Sequence, residues 1–127
     1  MMPLTFKIDH QERFVSVKAE GRVVLKDVED YFDALMVQNA MPYPKLLDLT
    51  GAELVASDDD MMMLGARVSA YAAVDPRGPI CLVAVTREAV DMLRRFTNLG
   101  GATRPAKIVT TVDEAREWLA GQVKGQG

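Results

Sequence analysis

The chain has 127 residues, which suits one domain, and its 49% hydrophobic and 26% charged residues are an ordinary globular mix. A net charge of −3 argues against a nucleic-acid partner, because neutralising phosphates takes clustered Lys and Arg. No apolar run approaches the roughly 20 residues of a membrane span, and the start MMPLTFKIDH lacks the charged-then-apolar layout of a signal peptide.

Taken in order, residues 5–9 (TFKID) and 14–20 (FVSVKAE) alternate and predict two strands joined by a polar turn, an antiparallel hairpin. Gly21 interrupts the alternation, with RVV as a brief extension. Residues 26–38 predict a helix that gathers Val28, Tyr31, Phe32, Leu35 and Met36 on one face. Asp27 is its expected N-cap, with Glu29 and Asp30 in the first turn. The helix ends near Asn39, and Pro42 to Pro44 makes a stiff loop.

Residues 45–49 (KLLDL) are continuously apolar around Asp48, as befits a central strand buried on both faces. An acid within such a run needs partners or a strand-end position. Thr50 and Gly51 are expected to turn the chain into a surface loop over residues 50–56, with Leu54 and Val55 tucked beneath it. A second helix follows over residues 57–73, with Ser57 as N-cap, Asp58, Asp59 and Asp60 in the first turn, and Met61, Leu64, Val68 and Tyr71 as the buried stripe.

Residues 75–79 (DPRGP) form a turn, and residues 80–85 (ICLVAV) predict another central strand. Thr86 caps a third helix, residues 87–99, with Val90, Leu93, Phe96 and Leu99 inward and Gly100 as the residue that ends it. Residues 106–110 form the last strand. Thr111 and Glu114 make a capping box for a final helix that buries Ala115, Trp118 and Leu119. The glycine-rich residues 121–127 are expected to fray as a flexible tail. The order β-β-α-β-α-β-α-β-α predicts a single α/β domain: a mixed, mostly parallel five-stranded sheet with four crossover helices.

Chemistry-bearing motifs are sparse. Cys81 is the one cysteine, so no internal disulfide forms, and a cytoplasmic location is the default expectation. Within ICLVAV it reads as a small buried hydrophobe. His10, the one histidine, reads as a solvated turn residue, so neither a metal site nor a catalytic set is expected. No glycine-rich loop opens a helix to cradle phosphate, no G-x-S-x-G elbow is present, and no cofactor is called for. Asp58, Asp59 and Asp60 point about 100° apart around their helix and do not converge on a cation. A receiver-like phosphoacceptor at Asp48, with Thr86 and Lys107 as partners, fits loosely, since Lys107 opens its strand rather than closing it.

The stretch LLDLTGAELVASDDDMMMLGAR, together with the strand order, resembles the STAS domain of anti-sigma-factor antagonists, whose fold is shared with CRAL-TRIO lipid-binding domains. Leu47-Asp48-Leu49 matches the family's strand, and Ala56-Ser57-Asp58-Asp59 occupies its Asp-Ser-Ser-Gly-like motif, where a serine accepts phosphate from a partner kinase. Val83 to Val85 and the closing DEAREWL at Asp113 to Leu119 are similar to an uncharacterised bacterial branch. Ser57 is kept, but Asp58 follows it and no glycine comes after. The resemblance implies a non-enzymatic regulatory module that docks a protein partner, or a second copy of itself, through the helix starting at Ser57. Its candidate residues are Ser57, Asp58, Asp48, Thr50 and Met62. The alternative implied by the shared fold is a carrier of a small apolar molecule or lipid.

Overall fold

The computed structural model describes residues 4–55, 57–74, 78–99 and 105–125. Five strands alternate with four helices after an opening hairpin: β1 (Leu4–Asp9), β2 (Phe14–Val23), α1 (Leu25–Val37), β3 (Lys45–Leu54), α2 (Asp58–Val74), β4 (Ile80–Val83), α3 (Arg87–Leu99), β5 (Ala106–Val109) and α4 (Val112–Gly125). They form one sheet in the order β1-β2-β3-β4-β5. The hairpin pair is antiparallel and the other three pairings are parallel.

This strand order decides where the helices go. From β2 onward each strand lies beside its predecessor and the chain advances in one direction across the sheet. Right-handed crossovers then place α1, α2 and α3 on a single face. Beneath them lies the larger core, with Val15, Val17, Leu35, Leu47, Leu82 and Leu93 among its members. The opposite face carries the alternate strand residues Leu46, Cys81, Val83 and Val109, and α4 covers it with Ala115, Leu119 and the partly buried Trp118. The four helices of the expected order are all present: α1, α2 and α3 connect successive strands, and α4 follows β5. Among the described residues α4 leads into no further strand of this sheet, and it packs on the other side.

Several boundaries depart from the sequence reading. Strand β2 runs on through Gly21, whose φ of 75° glycine adopts without strain, to Val23. Helix α1 starts at Leu25, so Asp27 is the third residue of its first turn and not the N-cap. The Asp27 carboxylate accepts the Val24 N–H at 2.9 Å, so it serves the same helix start from inside. Asn39, at φ 56°, ends α1 in the left-handed conformation. Strand β4 stops at Val83, two residues short of expectation, while α4 continues as helix into the glycine-rich segment as far as Gly125. The side chains of the proposed face residues Val68, Tyr71, Phe96 and Leu99, together with residues 75–77 of the turn and Gly100, lie outside what is described.

The largest revision concerns β3. Thr50 and Gly51 do not turn the chain. The strand continues to Leu54, with Gly51, Ala52, Glu53 and Leu54 pairing Glu20 to Val23 of β2. Between Lys18↔Asp48 and Glu20↔Gly51 the register shifts, so that Leu49 and Thr50 together face one residue of β2. This is a bulge, and it takes up the chemistry that looked like a turn.

Candidate functional site

The junction of β3 with α2 is built by two side-chain devices. Asp48 sits half-buried immediately before the bulge, and its Oδ1 accepts both the Thr50 N–H (3.2 Å) and the Thr50 hydroxyl (2.8 Å). A bulge takes a backbone donor out of the regular ladder, and a short acidic side chain two residues back is well placed to receive it. Asp48 thus finds in Thr50 the partner that an acid within an apolar run requires.

Ser57 is the N-cap of α2. Its Oγ accepts the Asp60 N–H at 3.1 Å, and Asp60 Oδ2 accepts the Ser57 N–H at 3.0 Å. The box is reciprocal, and the S-x-x-D spacing of Ser57 and Asp60 was the signal for it in the sequence. Asp58, Asp59 and Asp60 occupy the first turn, where the helix dipole favours carboxylates. Ser57, Asp58 and Asp59 are exposed and Asp60 is half-buried.

Behind this start the helix has two unlike faces. Met61 and Leu64 are buried against the sheet, whereas Met62 and Met63 remain 69% and 61% exposed. Arg67, a turn further on, is half-buried and bonds to both Glu29 (2.5 Å) and Asp33 (2.6 Å) of α1. The junction therefore joins a pinned bulge, a boxed helix start and two solvent-facing methionines on a helix bolted to its neighbour. Sequence reasoning missed Arg67, because its partners lie 34 and 38 residues away.

The receiver-like grouping is not assembled. The row of Asp48 passes through Val83 of β4 to Val109 of β5, whereas Lys107 sits opposite Cys81, two residues earlier on an exposed stretch. Thr86 is engaged as the cap of α3, its Oγ1 accepting the Ala89 N–H at 3.2 Å. His10 is exposed, as a turn residue should be. Its ring nevertheless bonds Tyr43 Oη through Nδ1 (2.9 Å) and Gln38 Oε1 through Nε2 (3.0 Å), which ties the hairpin turn to the end of α1. Cys81 is fully buried, and burial pushes its thiol pKa up; Lys107 opposes that shift and Glu114 adds to it. Among the described residues no group of three or more His, Cys, Asp or Glu is placed to hold a metal ion, and no helix is long and apolar enough to cross a membrane.

Comparison of the sequence with protein-family models and with curated proteins finds no match. The fold does find relatives among solved structures. An uncharacterised protein of the DUF3478 family from Shewanella loihica, itself described as having a SpoIIAA-like fold, matches with a TM-score of 0.63 at 15% identity, over 94% of this chain and 95% of that one. This chain has a SpoIIAA-like fold. The anti-sigma factor antagonist SpoIIAA in its unphosphorylated form matches with a TM-score of 0.58 at 13% identity, over 93% of this chain and 98% of its own. An anti-sigma factor antagonist from Mycobacterium paratuberculosis matches with a TM-score of 0.55 at 16% identity, over 92% and 94%. The SpoIIAA-like fold, a five-stranded sheet with its hairpin at one edge and four helices, is thus shared from end to end while few residues are.

Proposed function

We propose that this chain is a non-enzymatic regulatory module that docks a protein partner, or a second copy of itself, through the amino end of α2. The observation that carries the reading is the pair Met62 and Met63, left 69% and 61% exposed beside a boxed helix start. Methionine adapts to varied partner surfaces, and two neighbouring exposed ones on a rigid helix suit a contact patch. The likeness of the fold to anti-sigma factor antagonists supports the same class of function. With Asp58 and Asp59 exposed alongside, the surface complementary to this patch is apolar and ringed by positive charge.

Ser57 acts in this reading as a structural cap and not as a phosphate acceptor. Phosphorylation would add about −1.5 to −2 charge beside three carboxylates and would remove the hydroxyl from the box. The module is then constitutively ready to dock, and Asp48 and Thr50 serve it by holding the bulge that delivers the chain to Ser57.

The test compares the wild-type chain with the double substitution Met62→Gln, Met63→Gln. Proteins retained by immobilised wild type, or a dimer seen by light scattering, should be lost with the variant while its melting temperature stays within about 2 °C. An unchanged partner set for the variant would refute the reading, as would a monomeric wild type that retains nothing.

A further inference from the structure

Between the sheet and the starts of α1 and α2 lies a cavity of about 90 Å³. Its floor includes Leu47, Leu49 and Leu82, and its walls include Phe32, Met61 and Leu64. Only two lining residues are charged, Lys45 and Asp60, and both are engaged elsewhere. The Lys45 ammonium donates to the Met41 and Tyr43 carbonyls, and Asp60 accepts the Ser57 N–H. Tyr31 also lines it and brings a buried hydroxyl, but the rest of the lining is overwhelmingly hydrocarbon, and a single hydroxyl falls short of the roughly two to four partners a buried water needs, so the space is largely apolar. Such spaces stay dry when too few polar groups are available to hold water, and an engineered apolar cavity of roughly 150 Å³ admits benzene or xenon.

The space has an entrance. Val24 is 41% exposed, and Leu25, Val55 and Asp60 are half-buried, so the lining reaches solvent between the β2–α1 and β3–α2 junctions. The approach is acidic, with Asp27 in the first turn of α1 and Asp58, Asp59 and Asp60 in that of α2. Asp60 lines this entrance, and the other three acids belong to the same two helix starts, so a fatty acid or other anionic amphiphile would approach against negative charge. A whole lipid carrier, the alternative suggested by the shared fold, would need far more than about 90 Å³.

We infer that this cavity is a binding site for an uncharged apolar molecule of a few carbon atoms up to a single ring, entering between the starts of α1 and α2. The inference is independent of the docking role, because Met61 and Leu64 line the cavity while Met62 and Met63 face away from the core.

The experiment follows ¹H–¹⁵N spectra of the full chain under xenon pressure, and in parallel titrations with benzene and with decanoate. Saturable shifts are expected for xenon and benzene at the amides of Val28, Leu49, Met61 and Leu64, with decanoate giving none there. Leu64→Phe and Val28→Phe each put a ring into the space, the second at a half-buried position that strains the fold less. Each should weaken benzene binding at least tenfold while the spectrum stays dispersed. Absence of saturable shifts in the wild type would overturn the proposal whether or not the variants fold. So would decanoate shifting the same amides, or benzene binding that survives in a folded variant. The Met62→Gln, Met63→Gln variant should bind benzene as the wild type does; loss of the shifts there would place the ligand on the surface and sink the inference.

Discussion

Single residues at the β3–α2 junction hold backbone that the sheet and helix leave unpaired, and Ser57 is the most exposed to test. Its hydroxyl serves one of the free N–H groups that every helix start presents. Ser57→Ala should cost about 1 kcal/mol, the usual worth of such a cap, by urea denaturation. Ser57→Asp keeps an acceptor at the same place and should cost less than the alanine change, although it adds a fourth carboxylate to the turn. An aspartate variant less stable than the alanine one would mean that repulsion outweighs the cap. Cys81 tests a different residue-scale effect. Burial raises its pKa in the folded chain, so the folded state keeps its proton at a pH where the unfolded state has released it. The stability due to the protonated thiol is therefore complete below the ordinary thiol pKa of about 8.5 and is lost as pH rises from there through the raised folded value. Cys81→Ala should lose less stability than the wild type between pH 8 and pH 10. Parallel curves for the two proteins would show that the thiol takes no part in alkaline unfolding.

At the scale of elements, the loop between α1 and β3 is held by a clamp that the sequence hid. Lys45 is 1% exposed, yet its ammonium is satisfied by the Met41 and Tyr43 carbonyls at 2.5 and 2.7 Å. On the same loop, the Gly78 N–H donates to the Met41 carbonyl at 2.9 Å. The start of β4 is thereby drawn against the loop so closely that a Cβ on Gly78 would lie 2.3 Å from the Pro42 oxygen and 2.5 Å from the Tyr43 oxygen. Both obstacles are backbone, which cannot rotate away. Gly78→Ala should therefore destabilise by about 1–3 kcal/mol, the range for forced overpacking. Gly121, within α4, has nothing within 4 Å of its Cβ position. Gly121→Ala should stabilise by about 0.5–1 kcal/mol, since alanine is the better helix former. Opposite signs from one chemical change, read from thermal melts of the two variants, would separate a glycine needed for close approach from one that only weakens its helix. Equal effects would deny the clamp.

For the whole molecule, the sequence made legible what is written in local pattern, and not what depends on pairing at a distance. The hairpin, the strand–helix alternation and the starts of α2, α3 and α4 could be read because alternation and Ser57, Thr86 and Thr111 act within a few residues of themselves. The extension of β3 could not, because Thr50-Gly51 has turn chemistry locally and is held as strand by β2. Lys45 stands in the sequence only as the edge of an apolar run, since the carbonyls that satisfy it come from a loop whose path the sequence does not state. The side of the sheet that α4 covers was also hidden: it follows from the direction of the crossovers and not from α4 itself. That placement has a dynamic consequence. One face has three helices on it, while among the described residues α4 is the one helix that covers Leu46, Cys81, Val83 and Val109. An element with a single set of packing contacts can open below the energy of global unfolding, and Cys81 reports such opening because its fully buried thiol can react only when α4 lifts. Leu119→Ala removes a buried anchor of α4 and should destabilise by about 2–5 kcal/mol. It should also speed labelling of Cys81 by a thiol reagent in native buffer far more than Leu35→Ala, a comparable truncation in the core under α1. If both variants accelerate labelling in proportion to their loss of global stability, the two faces open together and α4 is no separate lid.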